Sequence, residues 1–151
     1  MCACELEKRN VISVFHDSIE SRRDLLNQAT ERILRRVQAM PGVPAELDDL
    51  QLSLSEAITN AVIHGNHENP HKNVRICGGI DPNHGLVLVV TDEGPGFDPA
   101  LIPDPTSDPH ILAPHGRGVF LMQRLMDHVQ FRLGGRQVEF QKRLATTCVL
   151  D

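Results

Sequence analysis

The feature that most constrains the fold is the run at 86–91, in which five apolar residues are followed by a threonine. A run without alternation is typical of a strand that is buried on both faces, so we expect it at the centre of a sheet. A second strand is predicted at 74–80, and the turn residues between the two runs suit a hairpin. Strands joined by so short a turn pair antiparallel, which argues against an alternating, doubly wound fold.

Apolar periodicity elsewhere predicts helices that cover one face of this sheet. Helices are predicted at 19–40, at 45–65 and from about 116 to 126, and further strands at 11–15, 129–133 and 138–144. This order predicts an α+β fold, a two-layer α/β sandwich with a mixed, mostly antiparallel sheet and three helices on one face. Residues 1–10 are predicted to be a flexible N-terminus, 11–145 a single domain and 146–151 a tail.

A proline-rich segment precedes the third helix. Five prolines and no apolar periodicity occur between Pro99 and Pro114. We therefore predict a loop over 97–115. A loop of this length inside a domain tends to be a lid or a binding loop.

Composition and charge set limits on the function. The 151 residues are 40% hydrophobic and 23% charged, which is typical of a soluble domain. The formal net charge of -5 argues against a general binder of nucleic acid or of membrane surfaces, because both need positive patches. No apolar run has the length of a membrane span and the N-terminus lacks the apolar core of a signal peptide, so we expect the cytoplasm. Cys77 lies in a strand-like apolar run, where we expect a reduced, buried thiol.

The predicted helix at 45–65 carries two polar residues on its free face. Glu56 and Asn60 are four residues apart and so lie one above the other. Gly65 is placed to end the helix, as a glycine often does. A carboxylate stacked on a carboxamide can serve a site, although the same pattern occurs on solvated helix faces. The opposite stripe is apolar and is expected to face the core: Leu47, Leu50, Leu54, Ile58 and Ala61.

Two glycine motifs follow, and neither is specific alone. Gly94 and Gly96 follow the central strand, but Pro99 occupies the third position of a dinucleotide fingerprint. A P-loop is excluded, because the sequence contains no glycine-lysine pair. Gly116 and Gly118 are predicted at the start of a helix, where free backbone N–H groups and the helix dipole suit phosphate. Either motif alone is also compatible with an ordinary turn.

Taken together, the three motifs resemble the GHKL ATPase superfamily, which contains the histidine kinase-like ATPase domain. The sequences at 56–65, 92–98 and 116–122 are most similar to one branch, the bacterial anti-sigma-factor serine/threonine kinases. The resemblance extends over 11–144. It implies the Bergerat ATP-binding fold, ATP and Mg²⁺ as cofactors, and an ATP lid at 97–115.

The resemblance implies a role for each motif residue. Asp92 would accept a hydrogen bond from the amino group of adenine, and Gly94 and Gly96 would let the chain turn tightly beside the base. Asn60 would ligate Mg²⁺. Glu56 would be the catalytic general base, acting on a protein hydroxyl or on water. The other implied nucleotide-binding residues are Gly116 and Gly118 through backbone amides, and Phe97, Val119, His64 and Arg117 through side chains.

The chain departs from this branch at two positions. The branch usually has a basic residue just before the third motif, where this chain has Pro114, so that Arg117 or His115 would have to replace it. It also often has a threonine near the adenine after the last hairpin, where this chain has Arg136. Both departures bear on whether phosphoryl transfer is active.

A group of histidines follows the helix at 45–65. His64, His67 and His71 have a spacing that can suggest zinc. The helix is expected to end at Gly65, however, which takes the last two histidines off its face. We therefore favour a surface or phosphate-neighbouring position for His64 over a zinc site.

These features lead to a functional hypothesis. The resemblance implies an ATP- and Mg²⁺-dependent serine/threonine protein kinase that phosphorylates a STAS-domain anti-sigma antagonist, sequesters a sigma factor and works as a homodimer, without direct contact with nucleic acid or membrane. The alternative is an ATP-binding regulatory module that gates a protein–protein interaction with little or no phosphoryl transfer. Glu56 favours the enzyme, and Pro114 favours the module. A histidine kinase is a weaker hypothesis because no phospho-acceptor helix is evident, and a plain ATPase is weaker because no transducer domain is evident.

Overall fold

The computed structural model describes residues 5–96 and 114–144, which form one sheet and the helices packed on it. The strands are β1 (Ile12–Glu20), β2 (Asn73–Asp81), β3 (Gly85–Thr91), β4 (His128–Arg132) and β5 (Gln137–Lys142). The α-helices are α1 (Leu26–Gln38), α2 (Asp48–Thr59) and α3 (Pro114–Leu125). In this described part of the chain, no helix is long and apolar enough to cross a membrane.

The strand order in the sheet is β1-β2-β3-β5-β4, and each neighbouring pair is antiparallel. The predicted two-layer α/β sandwich is therefore confirmed. The sheet of the described residues is antiparallel throughout, whereas a mixed sheet was predicted. Each strand runs opposite to the strands with which it pairs, so no pair needs the crossover connection that parallel strands require.

β3 lies at the centre of the sheet, and all 7 of its residues are buried. Leu86, Leu88 and Val90 belong to the main core, which the helices cover. Val87 and Val89 face the other side of the sheet, where the N-terminal segment covers them. The central strand predicted from the run at 86–91 is therefore confirmed, and burial from both sides explains why the run does not alternate.

The apolar stripe of α2 faces the main core. Leu50, Leu54 and Ile58 are each at most 2% exposed. α1 and α3 both pack against α2 and add side chains to the same core. The predicted stripe is confirmed, and both Glu56 of α2 and Asn60, the residue that follows α2, are partly exposed.

β1 is longer than predicted, and α1 starts correspondingly later. β1 runs to Glu20, which pairs with Asn73 of β2, and Ile19 is buried in the main core. The helix predicted at 19–40 therefore starts too early. Sheet pairing and the burial of Ile19 outweigh the local helical pattern, so α1 begins only at Leu26, after one 3-10 turn.

α3 begins with a proline. Pro114 is its first residue, a position at which the fixed φ of proline suits a helix and its missing N–H costs no hydrogen bond. The helix thus takes in the last two residues of the loop predicted at 97–115. Residues 97–113, with the rest of the predicted lid, lie outside the described residues, as does the predicted tail at 146–151.

Part of the N-terminus predicted to be flexible is folded onto the second face of the sheet. Glu5–Lys8 form a 3-10 turn. Leu6 is completely buried against Val87 and Val89. Burial of a leucine offsets part of the entropy lost when this segment becomes ordered, and the hydrogen bond from Arg9 to Glu139 offsets a further part. The predicted flexibility is therefore wrong for residues 5–10, and residues 1–4 lie outside the described residues.

A buried carboxylate anchors this N-terminal segment. Glu139 of β5 is 2% exposed. Arg9 and Arg132 each donate to its Oε1, at 2.9 and 2.6 Å, and Gln141 donates to its Oε2 at 2.9 Å. Burial by itself raises the pKa of Glu139. The hydrogen bonds outweigh burial, so the pKa of Glu139 lies below its ordinary value.

Cys77 lies on the same second face of the sheet as Leu6. It is disulfide-bonded, and its partner lies outside the described residues. The reduced thiol predicted for Cys77 is therefore wrong. Its apolar surroundings were correctly expected, but a disulfide depends on which chain segment folds over the strand, and the sequence around Cys77 does not show that.

Candidate nucleotide site

The C-terminal end of α2 changes its helical geometry. The helix continues into a π-helical turn, Asn60–Gly65, and the N–H of Asn66 donates to the carbonyl of Ala61, five residues back, at 2.8 Å. Such turns are rare in proteins overall, and where they occur they often lie at functional sites. Gly65 is the last residue of the turn, which confirms the helix end predicted there.

Glu56 and Asn60 lie next to the start of α3. A methyl group on Gly118 would lie 2.6 Å from Oε2 of Glu56 and 3.3 Å from Nδ2 of Asn60. Only a glycine lets α3 approach α2 so closely without displacing the Glu56 carboxylate. The structure therefore brings the first and third sequence motifs together. We call Glu56, Asn60 and Gly118 the Gly118 cradle.

The second motif lies against the end of the π-helical turn. A methyl group on Gly65 would lie 2.5 Å from Oδ2 and 2.8 Å from Oδ1 of Asp92. A methyl group on Gly94 would overlap the carbonyl oxygen of Gly65. The N–H of Gly94 donates to Oδ1 of Asp92 at 2.8 Å. The two glycines thus hold the Asp92 carboxylate against the same turn that begins with Asn60.

Burial has the largest effect on the pKa of Asp92, whose carboxyl group is half-buried. It raises the pKa of Asp92 above the ordinary value, because the charged form loses hydration. The hydrogen bond from Gly94 lowers the pKa without offsetting burial, and so do three nearby basic side chains, those of Arg136, His67 and Lys72. The Asp92 carboxylate is therefore a strong hydrogen-bond acceptor in an environment that is partly shielded from water, which suits recognition of an amino group.

The hairpin between β4 and β5 also contacts the loop that carries Asp92. The N–H of Asp92 donates to the carbonyl of Arg136 at 2.9 Å. Gly96 has a φ of 80°, and a methyl group on it would overlap the carbonyl oxygen of Gly134. Gly134 and Gly135 have φ values of 65° and 91°, which confirms the turn predicted at this pair.

The remaining predicted residues have different positions. His64 is exposed on the π-helical turn. Gly116 lies in the first turn of α3, where main-chain N–H groups have no partner within the helix. Val119 is 6% exposed and belongs to the main core, and its contact with a nucleotide stays a prediction. Phe97 and the side chain of Arg117 lie outside the described residues.

One residue of this region, Asn66, was not predicted from the sequence. Its side chain is 1% exposed and makes hydrogen bonds to Ser21, Asn73 and Glu93. An asparagine directly after a helix-ending glycine has the composition of an ordinary turn. No local signal distinguishes it, because Ser21 and Glu93 are distant in the sequence and Asn73 belongs to the next strand.

Within residues 5–96 and 114–144, no group of three or more histidine, cysteine, aspartate or glutamate side chains could hold a metal ion. Magnesium on a nucleotide does not need such a group, because phosphates and water supply most of its oxygen ligands. Asn60 offers one carboxamide oxygen in the Gly118 cradle and is partly exposed. Its donor chemistry therefore fits magnesium bound together with a nucleotide.

The chain belongs to the histidine kinase-like ATPase domain family, which it matches over residues 19–142. It is 40% identical to the anti-sigma F factor of Clostridium acetobutylicum over 88 residues, which are 56% of this chain and 59% of that protein. It is 37% identical to the serine-protein kinase RsbW of Bacillus subtilis over 93 residues, 56% of each chain. The anti-sigma F factor of Clostridium kluyveri is 36% identical over 108 residues, 70% of this chain and 69% of that protein.

The matches span somewhat more than half of the first two of these relatives, 59% and 56% of their lengths. They confirm the predicted resemblance to the GHKL superfamily and to its anti-sigma kinase branch. The family match covers α2, the loop after β3 and α3, the three elements that carry the sequence motifs.

Proposed function

We propose that this protein is an ATP- and Mg²⁺-dependent serine/threonine protein kinase that acts as an anti-sigma factor. It phosphorylates a STAS-domain antagonist, sequesters a sigma factor, and works as a homodimer in the bacterial cytoplasm. The observation that carries the proposal is the Gly118 cradle, in which a carboxylate and a carboxamide adjoin the start of a helix. The names of two relatives, an anti-sigma F factor and a serine-protein kinase, support it.

Asp92 forms the adenine end of the proposed site. Its carboxylate accepts a hydrogen bond from the exocyclic amino group of adenine, whereas guanine carries a carbonyl oxygen at that position. Gly94 and Gly65 hold the carboxylate in place and leave room beside it. A partly buried acceptor left facing another acceptor is costly, so the site discriminates between the two bases.

The phosphates lie between Asn60 and the first turn of α3. Free N–H groups there, that of Gly116 among them, and the positive end of the helix dipole favour negative charge. The carboxamide oxygen of Asn60 holds the magnesium ion, which when bound neutralises part of the phosphate charge. The six residues of the π-helical turn, Asn60–Gly65, connect this end to the adenine end.

Glu56 is the general base of the proposed reaction. Its carboxylate takes the proton from a serine or threonine hydroxyl as that oxygen attacks the γ-phosphorus, and ADP leaves with the electron pair of the broken P–O bond. Glu56 lies one helical turn before Asn60, so α2 fixes the distance between the proton acceptor and the phosphates.

A second candidate function is an ATP-dependent binding module without phosphoryl transfer. The observation that favours it is Pro114, which opens α3 where related kinases usually place a basic residue. Without that charge, the developing negative charge on the γ-phosphoryl group is less well stabilised. In this case nucleotide binding would control the interaction with a sigma factor while Glu56 stayed unused.

The test is ATP binding by calorimetry with Mg²⁺, followed by transfer of labelled γ-phosphate to candidate STAS-domain proteins. We expect Asp92→Asn to lose ATP binding, and Glu56→Ala to bind ATP but transfer nothing. Glu31→Ala is the matched control, because Glu31 is an exposed carboxylate on α1. Binding without transfer by the unchanged protein favours the module, and absence of ATP binding refutes both functions.

A further inference from the structure

The carboxamide of Asn66 uses its hydrogen-bonding groups within the fold. Its Nδ2 donates to Oγ of Ser21 at 2.8 Å and to the carbonyl of Asn73 at 3.1 Å, and its Oδ1 accepts from the N–H of Glu93 at 2.7 Å. A carbonyl can only accept and an N–H can only donate, so one orientation of the amide satisfies both. A buried carboxamide fixed in this way is rigid.

The three partners lie at the same ends of three neighbouring strands. Ser21 follows β1 directly and also donates to the carbonyl of Lys72 at 2.7 Å. Asn73 is the first residue of β2, and Glu93 comes two residues after the end of β3. One side chain therefore ties the end of the π-helical turn to the place where β1 ends, β2 begins and β3 ends.

This network bears directly on Asp92, which precedes Glu93. The N–H of Asp92 is bonded to the carbonyl of Arg136, and the next N–H, that of Glu93, is bonded to Asn66. The main chain is therefore held on both sides of Asp92. Gly65, the residue before Asn66, is the surface against which the carboxylate lies. Asn66 is thus bonded to the residue that follows Asp92 and adjoins the glycine against which the carboxylate lies.

We propose that Asn66 is a positioning residue for the nucleobase, and that through Glu93 and Gly65 it sets the preference of Asp92 for adenine over guanine. The proposal rests on the proposed function, because it concerns the adenine end of that site. Asn66 does not itself touch the nucleotide. Its effect is expected on base discrimination and not on the phosphate end, which α3 and Asn60 form.

The experiment compares ATP and GTP affinities of the whole chain with Mg²⁺, at a temperature well below the unfolding transition of each variant. For Asn66→Ala we expect ATP affinity to fall at least about tenfold while GTP affinity changes less than about threefold, because only the contact to adenine is lost. A loss of general packing would instead weaken both nucleotides together.

Ser21→Ala is the matched control. It removes two hydrogen bonds of the same network on the side of β1, those of the hydroxyl with Asn66 and with the carbonyl of Lys72, away from Glu93. We expect it to lower the melting temperature but to leave the ratio of ATP to GTP affinity within about threefold of the unchanged protein. An equal fall of that ratio in both variants would show that the effect does not run through Glu93, which overturns the proposal.

Asn66→Asp keeps an acceptor for the N–H of Glu93 and loses the donors to Ser21 and Asn73. We expect it to restore adenine preference relative to Asn66→Ala, even if its melting temperature is lower. It also tests the proposal if Asn66→Ala does not fold. A folded Asn66→Asp without adenine preference overturns the role of Glu93. If the unchanged protein binds no ATP, the proposed function itself fails, an outcome distinct from normal ATP binding with an unaltered ratio in the variants.

Discussion

Replacing Gly118 by alanine separates the stability of the fold from its chemistry. The methyl group would lie 2.6 Å from Oε2 of Glu56, closer than carbon and oxygen atoms approach without a bond. This oxygen is the end of a flexible side chain, so Glu56 can rotate away while the two helices stay in place. The substitution therefore moves the proposed base and leaves α2 and α3 packed.

Two opposing effects set the change in stability. Alanine favours the interior of a helix over glycine by about 1 kcal/mol. A displaced Glu56 side chain costs on the order of 0.5–1.5 kcal/mol if it leaves its preferred rotamer. We expect the free energy of unfolding of Gly118→Ala to change by less than about 1 kcal/mol, and its melting temperature by less than about 4 °C.

The chemistry should respond much more strongly than the stability. General bases contribute roughly 10²- to 10⁴-fold to rates, and we expect phosphoryl transfer by Gly118→Ala to fall within that range. ATP affinity should change far less, because Asp92 lies at the other end of the π-helical turn. Urea unfolding, calorimetry with ATP and transfer of labelled phosphate measure the three quantities.

Gly94→Ala is the contrasting variant. Its methyl group would overlap the carbonyl oxygen of Gly65, a main-chain atom that cannot rotate away. We expect both stability and ATP binding to fall in this variant. If Gly118→Ala binds ATP and transfers phosphate at the rate of the unchanged protein, the assignment of Glu56 as the base is refuted.

Three further predictions concern charged groups. Because burial raises the pKa of Asp92, the folded state holds its proton more tightly than the unfolded state, and stability is lost as pH rises through the folded pKa. We therefore expect Asp92→Asn to melt at a higher temperature than the unchanged, nucleotide-free protein at neutral pH, and the difference to vanish below pH 3.8, the ordinary pKa of an aspartate. The pKa of Glu139 is lowered, so its stabilisation is present above pH 4.5, the ordinary pKa of a glutamate, and is lost as pH falls through the folded pKa. Glu139→Gln, which weakens the bond to Arg9, should cost about 1–3 kcal/mol in urea unfolding at neutral pH and flatten the acid limb of the stability profile. Arg136→Thr removes a positive charge that lowers the pKa of Asp92, so calorimetry should show the pH dependence of ATP affinity shifted to higher pH.

Local patterns in the sequence predicted the parts of the fold that depend on near neighbours. The stripe of α2, the helix end at Gly65 and the central position of β3 all follow from spacing over a few residues. The pairing of β1 with β2 as far as Glu20 was not predictable in this way, because it depends on a partner strand more than fifty residues later in the sequence. The burial of Leu6 depends in the same way on the distant strand β3.

The candidate site likewise has features that local sequence predicts and contacts that it does not. The three motifs in combination predicted that Glu56, Asn60 and Asp92 belong to one region. In the structure, Glu56 and Asn60 lie beside Gly118, and Asp92 lies beside Gly65. The contact of Gly118 with Glu56 and the hydrogen bonds of Asn66 arise only when α3 and the strand ends are assembled. Such contacts have no period in the sequence, and structure was needed to find them.

The π-helical turn gives this region an unusual response to changes in chain length. A deletion of one residue within 61–63 would remove the extra residue of the π-helical turn and let it return to ordinary α-helix, with backbone dihedral angles near their helical values. Because a π-helical turn holds one more residue than an α-helical turn, Gly65 would then stay at nearly the same angle about the helix axis, beside Asp92. A deletion within α2 itself would instead rotate every later residue of the helix by about 100° and shift it by about 1.5 Å. The extra residue therefore makes this turn a place where the chain can lose a residue without changing the phase between the two ends of the site.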